Sequence, residues 1–201
     1  MKIIGPPDGN GGGIVRISPP DGTRVVEIER DITMIVTMSR NLCIGKNNKT
    51  PWPPIPKNTE HFRRITEGNV VVVGRITDEI ILKKFKDGLP NRDTIVITYN
   101  PKSVAPRKHC SVVSKNVVAQ VLAMARKRKV FIAGGEKIYK LFLPNINRLV
   151  INQIEVFADG DAFFPKIGRE WSQIYSNHYL GSLEKKTPAF SINTYVRLPR
   201  P

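Results

Sequence analysis

Two glycine-bearing turns carry the first chemical signal in this chain. Val130-Phe131-Ile132-Ala133 is a short run of strand-forming residues closed by Gly134-Gly135, after which Ile138, Leu141 and Phe142 recur at helical spacing. Asn69-Val70-Val71-Val72-Val73 repeats the arrangement, with Gly74-Arg75-Ile76-Thr77 behind it. A strand that turns through glycine into a helix leaves backbone N–H groups unshielded by side chains, which suits a phosphate or another anion. Arg75 stands ready for the same anion. The plainer alternative for both turns is packing that needs small residues. Other chemistries have little to work with. Cys43 and Cys110 are too few for a disulfide framework, and no Cys/His cluster has metal-ligand spacing, so no metal is expected. His61, His109 and His178 are isolated.

The elements that must hold these turns alternate along the chain. Ile32–Met38, Val70–Val73, Thr94–Thr98, Val130–Ala133 and Arg148–Val156 read as strands, with a weaker one at Val112-Val113. A helix is predicted to begin near Asn58, a good N-cap type, with Phe62 and Ile65 on its buried face; another is predicted over 116–129. Trp171–Leu180 and Phe190–Leu198 read as a closing antiparallel hairpin, so the α/β sheet is expected to be mixed. The 201 residues suffice for one such domain. Residues 1–31, rich in Gly, Pro and Asp, read as an arm or small hairpin outside a main domain of residues 32–201.

Charge narrows the partners. Lys and Arg number 32 against 17 Asp and Glu, a formal +15, which attracts polyanions such as RNA, DNA or anionic lipid. The basic runs, among them Lys83-Lys84-Phe85-Lys86 and Arg126-Lys127-Arg128-Lys129, lack the aromatic interleaving of a nucleic-acid motif. No apolar run approaches the roughly 18 residues of a membrane span, and two lone cysteines suit a reducing compartment, the cytoplasm or the mitochondrial matrix.

From Ile32 to Arg197 the chain resembles the dihydrofolate reductases. The carrying motifs are Ile44-Gly45-Lys46-Asn47, Pro51-Trp52-Pro53-Pro54, Val71-Val72-Val73-Gly74-Arg75-Ile76-Thr77, Leu89-Pro90-Asn91-Arg92, Ala133-Gly134-Gly135-Glu136-Lys137-Ile138-Tyr139 and Asp159-Gly160-Asp161-Ala162-Phe163-Phe164-Pro165. Each is weak alone; six in the family's order make a strong match. The resemblance implies an eight-stranded, mostly parallel sheet flanked by helices, binding NADPH and dihydrofolate. It sets Ile44, Gly45, Trp52, Gly74, Arg75, Thr77, Thr98, Gly134, Gly135, Lys137 and Tyr139 against the cofactor. It sets Ile35, Val36, Phe62, Arg92 and Asn152 against the folate, with Arg92 gripping the glutamate carboxylate as a planar fork.

One departure bears on chemistry. The family's single catalytic carboxylate lies four residues before the pocket phenylalanine, and the count from Phe62 lands on Asn58. An amide neither ionises nor pairs as an anion with a protonated pteridine. Glu60, two residues on, lies about 200° around the helix. Asn152 stands where a threonine usually partners the carboxylate, and Asp78 brings a negative charge beside the phosphate turn. The main functional expectation is therefore a weakly active or inactive reductase-like subunit of a larger assembly, RNA-containing or ribosomal, held by its basic surface. The alternative is active NADPH-dependent reduction of 7,8-dihydrofolate.

Overall fold

The computed structural model describes residues 31–182, 184 and 186–198, together with the backbone of three short strands before them. Those strands, β1 (Ile3–Ile4), β2 (Val15–Ile17) and β3 (Val26–Ile28), pair antiparallel in one small sheet. The rest of the segment read as an arm lies outside the described residues.

The main chain continues as β4 (Ile32–Ser39), β5 (Cys43–Gly45), α1 (Pro56–Thr66), β6 (Val70–Gly74), α2 (Arg75–Lys84), β7 (Asp93–Ile97) and β8 (Cys110–Val113). It ends through α3 (Val117–Met124), β9 (Val130–Ile132), α4 (Glu136–Phe142), β10 (Arg148–Ile154), β11 (Ala162–Phe163), β12 (Trp171–Tyr179) and β13 (Phe190–Arg197). Eight strands form one mixed sheet in the order β12-β13-β10-β4-β9-β6-β7-β8. Junctions from β10 to β8 are parallel, and β13 runs antiparallel to both β10 and β12.

Alternation along β4 divides the core. Ile32, Met34, Val36 and Met38 face a cluster with Val121 of α3 and with Ile138, Tyr139 and Phe142 of α4. Ile35 faces the other way, with Trp52, Ile55, Phe131, Val150 and, from α1, Phe62 and Ile65. The near-continuous valine run of β6 serves both faces: Val70 and Val72 go one way, Val71 and Val73 the other.

Three local readings give way to tertiary contacts. α1 begins at Pro56, with Ile55 at the N-cap, so Asn58 lies within the first turn and spends its side chain elsewhere. α3 stops at Met124, and the basic residues 126–129 fall beyond it. Asp78, expected to face the phosphate turn, is 2 % exposed and ion-paired with Arg107, which pins α2 to the loop before β8. Neutralising one half of such a pair strands the other charge in the interior. Asp78→Asn is therefore expected to cost about 3 kcal/mol of unfolding free energy in urea melts, the low end for breaking a buried pair.

Candidate active site

β4 and β9 pair only from Ile32 to Met34. Beyond that point β9 turns away while β4 runs on beside β10 to Ser39, so a crevice opens at the carboxyl ends of the strands. The carbonyl of Ile35, one residue past the last pair, accepts the Tyr139 hydroxyl at 2.8 Å. Burial pushes that phenol well above its ordinary pKa and keeps it a donor.

The β6–β9 ladder instead continues into the glycine turns. Ala133 N–H donates to Val72 O at 2.9 Å and Gly74 N–H to Gly134 O at 2.7 Å, so the two turns lie side by side. The Gly134–Gly135 peptide is cis, and Gly134 has φ +110°. Side chains have little room here. A Cβ on Gly134 would stand 2.9 Å from the Tyr139 hydroxyl oxygen, and one on Gly135 would stand 3.4 Å from Thr77 Oγ1. Gly74, Thr77, Gly134, Gly135 and Tyr139 thus pack tightly together where the central strands β6 and β9 end, with Gly134 and Tyr139 buried and the other three half-buried. Lys137 is exposed beside them on α4. Arg75 opens α2 with its guanidinium paired to Glu79, and the Thr98 hydroxyl accepts from Asn100 N–H at 3.2 Å.

Across the crevice, α1 brings Asn58 over β4 and β10. Its Oδ1 accepts Asn152 Nδ2 at 2.5 Å and the Thr37 hydroxyl at 3.2 Å. Asn152 and Thr37 are register partners on adjacent parallel strands, so the sheet itself aims both donors at one acceptor. Asn152 is fully buried, and its own Oδ1 has no protein partner. Ile35, Trp52 and Phe62 pack together around this face. Glu60 is exposed. His61, one turn along α1, is held below its ordinary pKa by burial and by Arg64. Val36 lies in the opposite core, as strand alternation requires, and Ile44 packs against that same core. Thr37 belongs to none of the sequence motifs, although its period-two relation to Ile35 places it on this face.

Arg92 closes the other end of α1. It is 6 % exposed and donates to Thr66 Oγ1 at 2.8 Å, to Arg63 O at 2.6 Å and to Pro90 O. These three bonds use three of its five N–H groups. Burial lowers its pKa without threatening the charge of a guanidinium. Asn58 and Thr66 stand roughly 12 Å apart along the helix, at about 1.5 Å per residue. A molecule with a polar ring at one end and a carboxylate at the other would span them.

The loop after β4 is seated by the segment that leads into β11. Gly45 pairs with Ala162, Asn47 N–H donates to Asp161 Oδ2 at 2.9 Å, and Lys46 is ion-paired with Asp159. Among the described residues no cluster of three His, Cys, Asp or Glu could hold a metal ion. None of the described helices is long and apolar enough to cross a membrane.

Paired glycine turns at the carboxyl ends of central parallel strands, with a helix beside them whose last turn meets a buried arginine, define an α/β scaffold of the ligand-binding kind. The dihydrofolate reductase family model matches residues 31–197, and the chain belongs to that family. It is 34 % identical over 166 residues to dihydrofolate reductase type A13 of Escherichia coli, covering 83 % of this chain and 94 % of that one. It is 33 % identical over 159 residues to dihydrofolate reductase of Bacillus subtilis strain 168, covering 78 % and 88 %. The solved dihydrofolate reductase from Enterococcus faecalis, complexed with NADP(H) and RAB-propyl, superposes with TM-score 0.70 at 30 % identity, covering 83 % and 95 %.

Proposed function

We propose that this protein reduces 7,8-dihydrofolate to tetrahydrofolate with NADPH, by a site that binds both ligands but supplies no ionisable acid. The observation that carries the reading is the joined pair of glycine turns at the carboxyl ends of β6 and β9, in the same sheet whose strands β4 and β10 hold Asn58 of α1. Gly74, Arg75, Thr77, Gly134, Gly135 and Lys137 would hold the dinucleotide, at the two turns that the Gly74 N–H to Gly134 O bond joins. NADPH when bound supplies the hydride. The chain's residues do the rest: Ile35, Trp52 and Phe62 exclude water from the ring, Arg92 grips the carboxylate tail, and Asn58 orients the ring without donating a proton. The proton for the ring nitrogen comes from solvent. The relatives bear the name of the active enzyme, which favours catalysis over a purely structural role.

A second reading keeps the scaffold and drops the reaction: an assembly subunit attached through the basic surface, with residues 1–31 as a contact segment. The amide at position 58 and the formal charge of +15 support it. Steady-state turnover of dihydrofolate with NADPH by the purified chain, alongside NADPH thermal shifts, separates the two. Binding without any turnover, together with co-purifying RNA, would sink the catalytic reading.

Arg92→Lys provides an independent check. A lysine keeps the charge and loses the fork, so KM for dihydrofolate is expected to rise about tenfold while the NADPH-induced shift in melting temperature persists. An unchanged KM would assign Arg92 to structure alone.

A further inference from the structure

We infer that the end of the sheet where the parallel strands begin, opposite the glycine turns, is a docking surface for double-helical RNA, held through its phosphates without reading of the bases. None of its docking cations is assigned to folate or dinucleotide, so it stands apart from the catalytic reading; it gives the basic surface of the second reading a place and a partner.

Strands β6, β7, β8 and β9 start side by side: Val70 pairs with Asp93 and with Val130, and Thr94 with Cys110. Tertiary bonds lock the approaches to these strands into one surface. Arg92 donates to Arg63 O at 2.6 Å, which ties the last turn of α1 to the start of β7, and Gly68 N–H donates to Asn91 O at 2.8 Å. Asp93 accepts from Arg128 Nη1 at 2.6 Å and meets His109 Nδ1 at 2.9 Å, which joins the starts of β7, β8 and β9. A cleft of ≈ 590 Å³ lies here, lined in part by Lys86, Asp87, Asn91, Lys108 and His109.

Cations dominate this surface. Arg63, Arg64, Lys83, Lys84, Lys86, Lys108, Arg126, Lys127 and Arg128 are exposed on it, against the carboxylates of Asp31, Glu67, Asp87 and Asp93. A helix C-terminus favours basic residues in its last turn, which accounts for Arg63 and Arg64 on α1 and for Lys83 and Lys84 on α2. That cause does not reach Lys86, Lys108 or residues 126–129, which lie outside the helices. Arg128 is paired with Asp93, and the Lys129 ammonium lies over the Phe131 ring. Among the described residues no ion pair holds Lys86, Lys108, Arg126 or Lys127.

Unpaired cations gain free energy by releasing the counterions condensed on a nucleic acid. Among the described residues, none of the exposed large apolar side chains lies on these segments, so nothing here would enter a bilayer or stack on unpaired bases. Helices α1, α2 and α3 bring only their carboxyl ends to this surface, which offers no helix to lay in a DNA major groove. Contact with phosphates and shape, without the bases, is how proteins usually hold double-helical RNA.

The test measures binding of a short RNA duplex of mixed sequence to the full chain by fluorescence anisotropy over a salt series. Phosphates neutralised by Lys86, Lys108, Arg126 and Lys127 give a log–log slope of about −4, so affinity is expected to fall about 10²-fold between roughly 50 and 200 mM salt. Arg126→Glu combined with Lys127→Glu is expected to cut the slope by about 2 and the low-salt affinity by about 10- to 100-fold. Lys102→Glu combined with Lys115→Glu makes the same change in net charge beyond the far ends of β7 and β8, and is expected to cost less than about threefold. Should charge reversal disturb folding, Lys86→Ala with Lys108→Ala is also expected to cut the slope by about 2. Saturating NADPH is expected to leave the RNA bound, because the glycine turns lie at the opposite ends of the strands. Absence of binding, a slope near zero, equal losses in both charge reversals, displacement by NADPH, or tighter binding of duplex DNA, single-stranded RNA or phosphatidylserine vesicles overturns the inference. RNA held at this surface by a chain that also turns over dihydrofolate upholds it, whereas turnover without RNA binding sinks it and leaves the reductase reading intact.

Discussion

Asn58→Asp is expected to raise the turnover of dihydrofolate at neutral pH by about 10²- to 10⁴-fold, the usual worth of a positioned general acid. The new carboxyl would meet the same two donors, Asn152 Nδ2 and the Thr37 hydroxyl, that now converge on the amide oxygen. On the proposed reading its second oxygen would be free for the ligand ring, and ionisation is what the amide lacks. The pH profile distinguishes this from a gain in binding alone. If the natural protein takes its proton from solvent, as proposed, its rate is expected to fall about tenfold per pH unit, with no plateau set by a protein group. The variant should gain a plateau below the pKa of the new acid. Rapid-mixing measurement of the two profiles decides the matter, and a variant as slow as the natural protein at every pH would place the defect elsewhere in the pocket.

Gly134→Ala should do the opposite, abolishing the NADPH-induced thermal shift and lowering stability by about 3 kcal/mol. Two penalties add at this residue. A φ of +110° is one that an L side chain rarely adopts, and the new methyl would stand 2.9 Å from the Tyr139 hydroxyl oxygen. That hydroxyl cannot simply retreat, because it caps the Ile35 carbonyl. Moving Gly134 would also release Gly74 N–H from Gly134 O, the bond that joins the two turns. Gly68→Ala isolates the backbone penalty: its φ is +73° with nothing within 4 Å of the added Cβ, so a loss of only about 1 kcal/mol is expected. Equal losses at the two glycines, with NADPH binding intact in both, would show that the Tyr139 contact is unimportant.

The comparison of Asn58 with Gly134 also marks where sequence reasoning stops. Glycine followed by helical spacing locates both turns, because a bare backbone and a periodic apolar face are local properties of the chain. The valine run of β6 and the closing hairpin are legible for the same reason, and they fix a mixed sheet. Counting from Phe62 singles out Asn58 as the position to examine. What the amide does there is not local. Its partners lie 21 and 94 positions away, on strands whose parallel register alone brings them together, and they outweigh its preference for the helix N-cap. Asp78 repeats the lesson: beside Gly74 in sequence it reads as a charge opposing phosphate, and Arg107, 29 positions on, draws it into a buried ion pair.

The sequence by itself determined the order of strands and helices, the two glycine turns and an amide at position 58, since each depends on residue type and short-range spacing. Only the tertiary structure decided which partners Asn58 takes, that Val36 belongs to the opposite core, and that Arg92 is clamped by the end of α1. Those outcomes follow from strand register and from competition among distant donors and acceptors, which spacing along the chain does not encode.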